Sequence, residues 1–372
     1  MNMEKKKICW ITSACFMETD FNYSVMTELA KYFKIHWFVL GSRNNYISES
    51  KLDIFKKLPD FHIEWNTKKY RMRDFRSLIY YYGLYTNIKF ISPDIVYCNV
   101  APDPFFSIIS LFLDRNKTIF AAHDGKAQND SSSFGFMRTL AYNILFKHSK
   151  YVNMFSQSQA NLMKMTYPQN EIYIMPLPLK DFGKSVKAAP KDFVRFLSFG
   201  NIIYQKNIDL LIDAAEILYE RGYHNFKVSI NGNCKDWEFY ASRIKHPTIF
   251  ECNPHFISNE DLLDLFATSH YSVFPYRRVS QSGVLKLAFN YNLPVITSCL
   301  GAFREEVVDG VNGFFFEAEN VNSLADVMKK CLLMHQEDYA ILKKKMKDYI
   351  EDKYSTKRIV LYYTELFTNF IK

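Results

Sequence analysis

Residues 271–316 constrain the fold of this chain most strongly. They consist of an apolar run (271–276), a polar loop ending at Gly283, a helical segment and a second apolar run (293–297). Short buried runs that alternate with helices are typical of strand–loop–helix–strand units. Such units build parallel sheets, and ligands bind at the carboxyl ends of their strands.

The loop between the two apolar runs has the composition of an anion site. The unpaired N–H groups of a helix's first turn and the helix dipole attract anions. Gly283 lets a phosphate approach the backbone, while Arg277 and Arg278 supply positive charge and Ser282 supplies a donor. The loop is equally consistent with a phosphate or diphosphate site and with an ordinary turn in which Ser282 caps the helix.

The first half of the chain alternates between strand and helix patterns. Six apolar runs predict strands at residues 7–11, 35–40, 94–99, 118–122, 151–155 and 171–175. The first two flank a predicted helix at about 22–34, which has one apolar face. Strands separated by helices predict an open parallel sheet.

A break in composition follows at residues 176–191, which contain three prolines and no hydrophobic period. This segment predicts an interdomain linker. Beyond it, strands are predicted at 194–200, 227–231 and 248–251, and helices at 208–218 and 259–266. The length of 372 residues agrees with two domains. We therefore predict an α/β chain of two doubly wound, Rossmann-like domains, 1–185 and 190–353, that face a central cleft.

Bulk properties argue against several classes of protein. No run approaches the roughly 18 apolar residues of a membrane span, and residues 8–11 are too short for a signal-peptide core, so we predict a cytoplasmic protein. Seven scattered cysteines form no C-x-x-C pair, which favours neither disulfides nor a zinc site. The net charge of +8 does not by itself imply nucleic acid, and no recognised nucleic-acid motif accompanies it.

Residues 65–90 have a different character, because basic and aromatic side chains are interleaved there. The basic side chains of its first part are Lys68, Lys69, Arg71, Arg73 and Arg76. Basic residues attract anionic lipids by about 1 kcal/mol each, and aromatic rings favour the headgroup region. The segment is equally consistent with a peripheral site on the inner face of the membrane and with a solvated helix face.

Motifs over residues 194–330 resemble the nucleotide-sugar half of a GT-B glycosyltransferase. Their order and spacing carry the resemblance: Phe199-Gly200 with Lys206, Pro275-Tyr276, Ser282-Gly283-Val284, Leu293-Pro294-Val295 and Asp309-Gly310-x-x-Gly313. The closest resemblance is to family 4, the retaining hexosyltransferases of polysaccharide and glycolipid synthesis, and it is weaker over 1–180. It implies a GT-B fold, a nucleoside diphosphate sugar as donor, no cofactor and no bound metal.

The resemblance also implies roles for single residues on the donor side. Lys206 matches a basic residue that contacts the donor diphosphate, and Gly283 and Val284 match backbone amides at the same diphosphate. With these we group Arg277, Arg278 and Ser282 as diphosphate-binding residues. Glu305 is predicted either to contact the donor sugar or to stabilise a helix N-terminus.

On the other side of the predicted cleft, His123 matches a histidine near the transferred sugar. We predict His123 and Lys206 as the catalytic pair. Asp20, before the first helix, and Asp124 are predicted on the acceptor side.

The chain departs from the family at three places. The positions of two glutamates hold Val279 and Leu287, the arginine before the conserved lysine is missing, and residues 13–20 contain no glycine. The predicted activity is transfer of a hexosyl group to a glycan or polyprenyl-linked acceptor in cell-surface polysaccharide synthesis. A GT-B nucleotide-sugar epimerase and a non-catalytic partner subunit remain as alternatives.

Residues 354–372 predict a C-terminal helix that starts at Ser355 or Thr356. Its apolar positions recur at helical spacing: Ile359, Tyr362, Tyr363, Leu366 and Phe370. One face must therefore be buried. The resemblance implies that this helix crosses back to the first domain, and the alternative is packing on the second domain alone.

Overall fold

The computed structural model describes residues 4–14, 23–41, 53, 55–71, 73–127, 135–179, 183–279 and 282–371. The chain divides into two units. Unit 1 consists of Met1–Pro178 and Tyr354–Lys372, and unit 2 consists of Leu179–Lys353.

Unit 1 is built on a parallel sheet of seven strands in the order β3-β2-β1-β4-β5-β6-β7. The strands are β1 (Lys6–Ser13), β2 (Phe33–Gly41), β3 (Phe61–Thr67), β4 (Ile95–Asn99), β5 (Thr118–Ala122), β6 (Tyr151–Met154) and β7 (Glu171–Ile174). The order runs outward in both directions from the neighbours β1 and β4. In such a doubly wound sheet the crevice for ligands lies at the carboxyl ends of those two strands.

Helices cover both faces of this sheet. They are α1 (Tyr23–Leu29), α2 (Arg76–Ile91), α3 (Pro104–Ser110), α4 (Gly135–His148) and α5 (Gln157–Thr166), with a short 3-10 helix at Phe55–Lys57. Strands buried on both faces are apolar throughout, and every residue of β4 is buried. The start of α3 is fixed locally, since the Asp103 carboxylate accepts hydrogen bonds from the amides of Phe105 and Phe106.

Unit 2 repeats the architecture with six parallel strands in the order β10-β9-β8-β11-β12-β13. They are β8 (Val194–Phe199), β9 (Phe226–Asn231), β10 (Phe250–Asn253), β11 (Tyr271–Phe274), β12 (Val295–Ser298) and β13 (Gly313–Phe316). The winding reverses between β8 and β11, which pair at Tyr271 with Phe196. The carboxyl ends of β8 and β11 therefore mark the ligand crevice of this unit.

The helices of unit 2 follow the strands in alternation. They are α6 (Ile208–Glu220), α7 (Trp237–Ala241), α8 (Asn259–Ala267), α9 (Gly283–Asn290), α10 (Gly301–Arg304), α11 (Val321–Leu332) and α12 (Gln336–Tyr354), with 3-10 helices at Tyr204–Lys206 and Pro247–Ile249. The apolar stripe of α6 is buried at Leu211, Ile212, Ala215 and Leu218. The helix was predicted from the spacing of these apolar residues, which recur on one face of a helix.

The last helix, α13 (Thr356–Ile371), follows α12 after one residue and belongs to unit 1. Its apolar face joins the core formed by β1, β2, β4 and α1. The ring of Tyr363 lies 5.0 Å from that of Trp10, and Phe367 is fully buried. This burial accounts for an apolar face at the chain end, where fraying is otherwise expected.

The prediction of two doubly wound α/β domains is confirmed, and the structure corrects three local predictions. The predicted helix 22–34 ends at Leu29, because Phe33 already opens β2. Strand β3 was missed, since its edge position alternates buried with exposed residues and its end overlaps the basic segment. The strand predicted at 248–251 starts at Phe250, after the turn at Pro247–Ile249.

The boundary between the units falls within the predicted linker, near its start. It lies between Pro178 and Leu179, before most of residues 176–191. Ser185 donates to the Asp264 carboxylate at 2.6 Å, and Lys187 pairs with the same carboxylate at 2.5 Å. The second part of the segment is therefore attached to α8 of unit 2.

Within the described ranges, no helix is both long enough and apolar enough to span a bilayer.

Candidate functional site

The candidate site lies in unit 2, at the carboxyl ends of β8 and β11 and the N-terminus of α9. Gly200, directly after β8, has φ +114°, which favours glycine. A methyl group added to Gly200 would lie 3.4 Å from Cγ2 of Val284. The loop after β8 therefore passes directly against the first turn of α9.

Lys206, on this loop, ends a 3-10 turn and is partly buried. Its Nζ lies 3.6 Å from the centroid of the Tyr276 ring, a cation–π contact. No hydrogen bond or ion pair of Nζ is found with any part of the chain that the structure describes. Burial lowers the pKa of Lys206 to about 8. The ammonium is thus desolvated and held by a ring instead of a carboxylate.

Tyr276, which sequence reasoning did not assign to the site, follows β11 and is 2% exposed. Its backbone is held by Ser298, whose hydroxyl donates to the Tyr276 carbonyl at 2.8 Å. Burial raises the pKa of the phenol, against a smaller opposing effect of Ser282. Its hydroxyl has no hydrogen bond of regular geometry to a described residue. The sequence offered one signal for Tyr276, an aromatic residue at the end of a strand. Its contact with Lys206 could not be predicted, because the two residues are 70 positions apart.

The first turn of α9 presents two backbone donors that no described residue accepts. Ser282 is the N-cap, and its side chain accepts from the amide of Leu285 at 3.2 Å. The amides of Gly283 and Val284 have no acceptor among the described residues. This helix start therefore combines the two features predicted from sequence: a Ser282 cap and backbone N–H groups available to an anion.

The structure gives Arg277 and Arg278 different environments. The Arg277 guanidinium forms a two-point ion pair with Asp209, at 2.7 and 3.3 Å, and donates to the Tyr204 carbonyl at 2.7 Å. Its amide donates to the Gln205 carbonyl at 2.9 Å. Arg277 therefore fixes the turn that carries Lys206. Sequence reasoning missed Asp209, the acidic partner of Arg277. Arg278 is exposed.

Positions 279 and 287, which hold glutamates in the resembled family, carry apolar side chains that lie in apolar or partly buried surroundings. Leu287 is 5% exposed, in the core, and Val279 is partly buried. Beside Leu287, the buried Lys286 ammonium pairs with Glu306, and Lys353 lies 3.9 Å from the same carboxylate. Burial lowers the pKa of Lys286, while Glu306 opposes that shift. This cluster joins α9 to α12.

The sequence suggested that Glu305 opens a helix, but the structure shows that it does not. It follows α10 as its C-terminal cap, and its carbonyl accepts from Lys353 Nζ at 3.0 Å. The structural alternative given for Glu305, stabilisation of a helix N-terminus, is therefore wrong, because α10 is only one turn long and ends at Arg304.

In unit 1, His123 follows β5 and its Nε2 lies 3.3 Å from the Asn99 side-chain oxygen at the end of β4. The imidazole also lies 4.8 Å from the Phe155 ring. Asp124 is partly buried, and its carbonyl accepts from the Tyr142 hydroxyl. His123 and Asp124 thus lie at the carboxyl edge of their sheet. Asp20 is outside the described residues.

A further polar group lies next to Lys206. Asn207, 1% exposed, has φ +54°, and neither atom of its side-chain amide has a partner in the described ranges. No cluster of three or more His, Cys, Asp or Glu side chains suited to a metal ion occurs in those ranges either.

Comparison with known proteins agrees with this geometry. Residues 194–333 match the family model described as "Glycosyl transferases group 1". That match contains the loop after β8, Tyr276 and α9. None of the curated proteins compared with the chain matches it.

Solved structures resemble the whole chain. A glycosyltransferase from Rickettsia africae has a TM-score of 0.72 at 14% identity, with 100% of both chains covered. HepE from Anabaena, in complex with UDP and glucose, has a TM-score of 0.71 at 14% identity over 98% of this chain and 100% of its own. WaaG, a glycosyltransferase involved in lipopolysaccharide biosynthesis, has a TM-score of 0.64 at 16% identity, over 97% and 99%.

The chain has the GT-B fold. The domain match over 194–333, which contains the candidate site, is to group 1 glycosyl transferases, and the likeness to the solved structures shows the fold of the whole chain.

Proposed function

We propose that this protein transfers a hexosyl group from a nucleoside diphosphate sugar to a glycan or polyprenyl-linked acceptor in cell-surface polysaccharide synthesis. Unit 2 binds the donor. UDP-hexoses are the first donors to test, because HepE, of similar fold, was solved with UDP and glucose.

The observation that carries this proposal is the desolvated Lys206 ammonium near a helix start whose first two amides have no acceptor among the described residues. A partly buried cation without a carboxylate partner is unfavourable in the free protein. A diphosphate would supply the missing negative charge. The amides of Gly283 and Val284 would bind its oxygens, as helix N-termini commonly do.

The same groups would act in the reaction. When the glycosidic bond to the diphosphate breaks, negative charge grows on the leaving phosphate oxygens. Lys206 and the α9 amides are fixed donors that stabilise this charge without reorganising. Arg277 would contribute by positioning the Lys206 turn. The role of His123 near the transferred sugar, retention of configuration and independence of metal remain predictions.

Calorimetry and product analysis test the proposal. UDP should bind the full chain, and a UDP-hexose incubated with an acceptor should release UDP in parallel with a new glycoside. Conversion of the donor sugar without an acceptor would instead show an epimerase. Binding without any conversion across a panel of donors and acceptors would indicate a partner subunit, and failure of every nucleoside diphosphate to bind would refute the site.

We also propose that unit 1 binds the membrane surface, through neighbouring helices α2, α3 and α4. Large apolar side chains are exposed on these three helices or at their ends: Phe75, Ile79, Tyr82, Phe90, Ile108, Leu111, Phe112, Phe136 and Leu140. Among them Phe75, Ile79 and Phe90 expose 81%, 74% and 92% of their surface. Exposed apolar groups on this scale mark interaction surfaces.

The basic side chains near this surface suit anionic lipid. Lys69, Arg71 and Arg73 are exposed. Lys68 is not part of this set, because it is paired with Asp103 and largely buried. The membrane hypothesis therefore depends less on Lys68 than the sequence suggested, and more on the apolar face of α2.

Sedimentation with vesicles of phosphatidylglycerol and phosphatidylcholine tests this partner. Ile79→Ser with Tyr82→Ser should reduce binding at any salt concentration. Replacing Lys69, Arg71 and Arg73 by Gln should reduce vesicle binding mainly at low salt, where charges are unscreened.

Phe256→Ser in unit 2, at an equally exposed ring, is the matched control and should change nothing. Equal sedimentation of all these forms would exclude this surface as the membrane site.

A further inference from the structure

Unit 2 contains a cavity of about 480 Å³ at the edge of its sheet opposite the candidate donor site. It lies at the amino ends of β8 and β11, and the segment 189–194 forms one wall. The end of α11 and the start of α12 complete it. Its volume lies within the range of small-molecule sites.

The interior of the cavity is aromatic and sulfur-rich. Phe193, Tyr271 and Tyr339 contribute rings, and Cys331 and Met334 contribute sulfur atoms. The rings of Tyr271 and Tyr339 lie 5.5 Å apart at 65°, in an edge-to-face contact with each other. Rings and polarisable sulfur favour a flat, ring-bearing ligand.

Most of the polar groups in the lining are already occupied. The Tyr339 hydroxyl donates to the His270 carbonyl at 2.8 Å, and His270 Nδ1 accepts from the Arg195 amide at 3.0 Å. Burial lowers the pKa of His270, so its imidazole is neutral at pH 7. The charged lining residues, Lys191 and Asp192, are exposed at the rim. A charged ligand would therefore lose hydration without gaining a buried partner.

One interior donor is poorly satisfied. The Tyr271 hydroxyl, on a residue that is 1% exposed, donates to Met334 Sδ at 3.4 Å. Burial raises the pKa of this phenol, so it keeps its proton. A thioether is a weak acceptor, and a carbonyl oxygen would be a better one.

We propose that this cavity is an effector site for an uncharged molecule of about two fused rings that carries one carbonyl-type oxygen. The rings would lie among Phe193, Tyr271 and Tyr339, and the oxygen would accept from Tyr271. The ligand is an effector and not a substrate, because reacting ligands of doubly wound sheets bind at the carboxyl edge. It would hold the segment 189–194 against the strand ends.

Coumarin is a suitable probe, since it is uncharged, bicyclic and has a lactone carbonyl. Saturation-transfer NMR on the full chain should detect coumarin but not coumarin-3-carboxylate. Tyr271→Phe should weaken coumarin binding by about fivefold, the value of one neutral hydrogen bond. Ala189→Trp should abolish it, because Ala189 lines the cavity. Hydrogen exchange in 189–194 should slow when coumarin binds.

Tyr240→Phe, in the same unit but outside the lining, is the matched control and should bind coumarin normally. UDP calorimetry on each variant shows that unit 2 is folded, so this test stands apart from that of the donor site. Absence of binding up to the solubility of coumarin would overturn the proposal. Equal affinity in wild type, Tyr271→Phe and Ala189→Trp would overturn it too.

Discussion

Replacing Lys206 by methionine should have opposite effects on stability and on ligand binding. Burial lowers the pKa of Lys206 from the ordinary 10.5 to about 8. At about 1.4 kcal/mol per pKa unit, the charged side chain is unfavourable by about 3 kcal/mol in the folded protein at neutral pH. The Tyr276 ring, 3.6 Å away, returns about 1 kcal/mol of that. Lys206→Met should therefore stabilise the free protein by about 2 kcal/mol.

The pH dependence of this gain has a definite sign. Between pH 8 and 10.5 the unfolded chain holds a proton on Lys206 that the folded chain has released, so wild-type stability rises with pH across this window. The advantage of Lys206→Met should be complete below about pH 8 and should vanish near the unfolded pKa. Urea unfolding at several pH values measures it.

Binding should change in the other direction. Loss of a hydrogen bond to a charged group costs about 1.5–3 kcal/mol, so UDP affinity in calorimetry at pH 7 should fall by about 10- to 150-fold. In wild type, affinity should decline above about pH 8, as Lys206 loses its proton before the ligand arrives.

Lys343→Met is the matched control, because burial also lowers the pKa of Lys343 to about 8 and its Nζ donates to the Asn292 carbonyl. It should leave UDP affinity unchanged. If Lys206→Met binds UDP as wild type does, or if Lys343→Met loses binding equally, the assignment of Lys206 is wrong.

Three further outcomes are expected. Arg277→Ala should weaken UDP binding by about tenfold, because it releases the turn held through Asp209, and unchanged affinity would exclude that positioning role. Transfer should survive excess chelator, and loss of activity restored by magnesium would contradict the proposed phosphate chemistry. Deletion of residues 356–372 should speed hydrogen exchange in β1 and β4, since α13 packs on their core, and unchanged exchange would show that this packing is dispensable.

Local patterns were enough to predict most of the fold. Continuous apolar runs such as β4 predict strands because both faces of a parallel strand are buried. The stripe on α6 and the cap at Ser282 are equally local. Strand β3 was missed because an edge strand is buried only in part, so its pattern is weaker than that of a central strand.

The site was less accessible to sequence reasoning, because its decisive contacts join distant positions. Lys206 and the α9 glycine were predicted from local motifs. The ring beneath Lys206 comes from Tyr276, and the partner of Arg277 is Asp209, 68 positions away. Only the pairing of β8 with β11 brings these segments together. Charge alone therefore suggested a phosphate ligand for Arg277, where the structure gives it a carboxylate.

The apolar residues at 279 and 287 lead to a last prediction, about the ribose of the donor. Leu287 lies in the core, and the carboxylate near it, Glu306, is neutralised by Lys286. In the resembled family these positions carry glutamates, whose carboxylates can accept hydrogen bonds from sugar hydroxyls. Here neither position 279, before α9, nor position 287, within α9, carries a carboxylate. UDP and 2′-deoxy-UDP should consequently bind within about twofold of each other in calorimetry, because a neutral hydrogen bond is worth about 1 kcal/mol and its loss would show as about fivefold. Preference for UDP by tenfold or more would mean that another carboxylate reads the ribose, and the view that phosphate contacts dominate donor recognition would then be wrong.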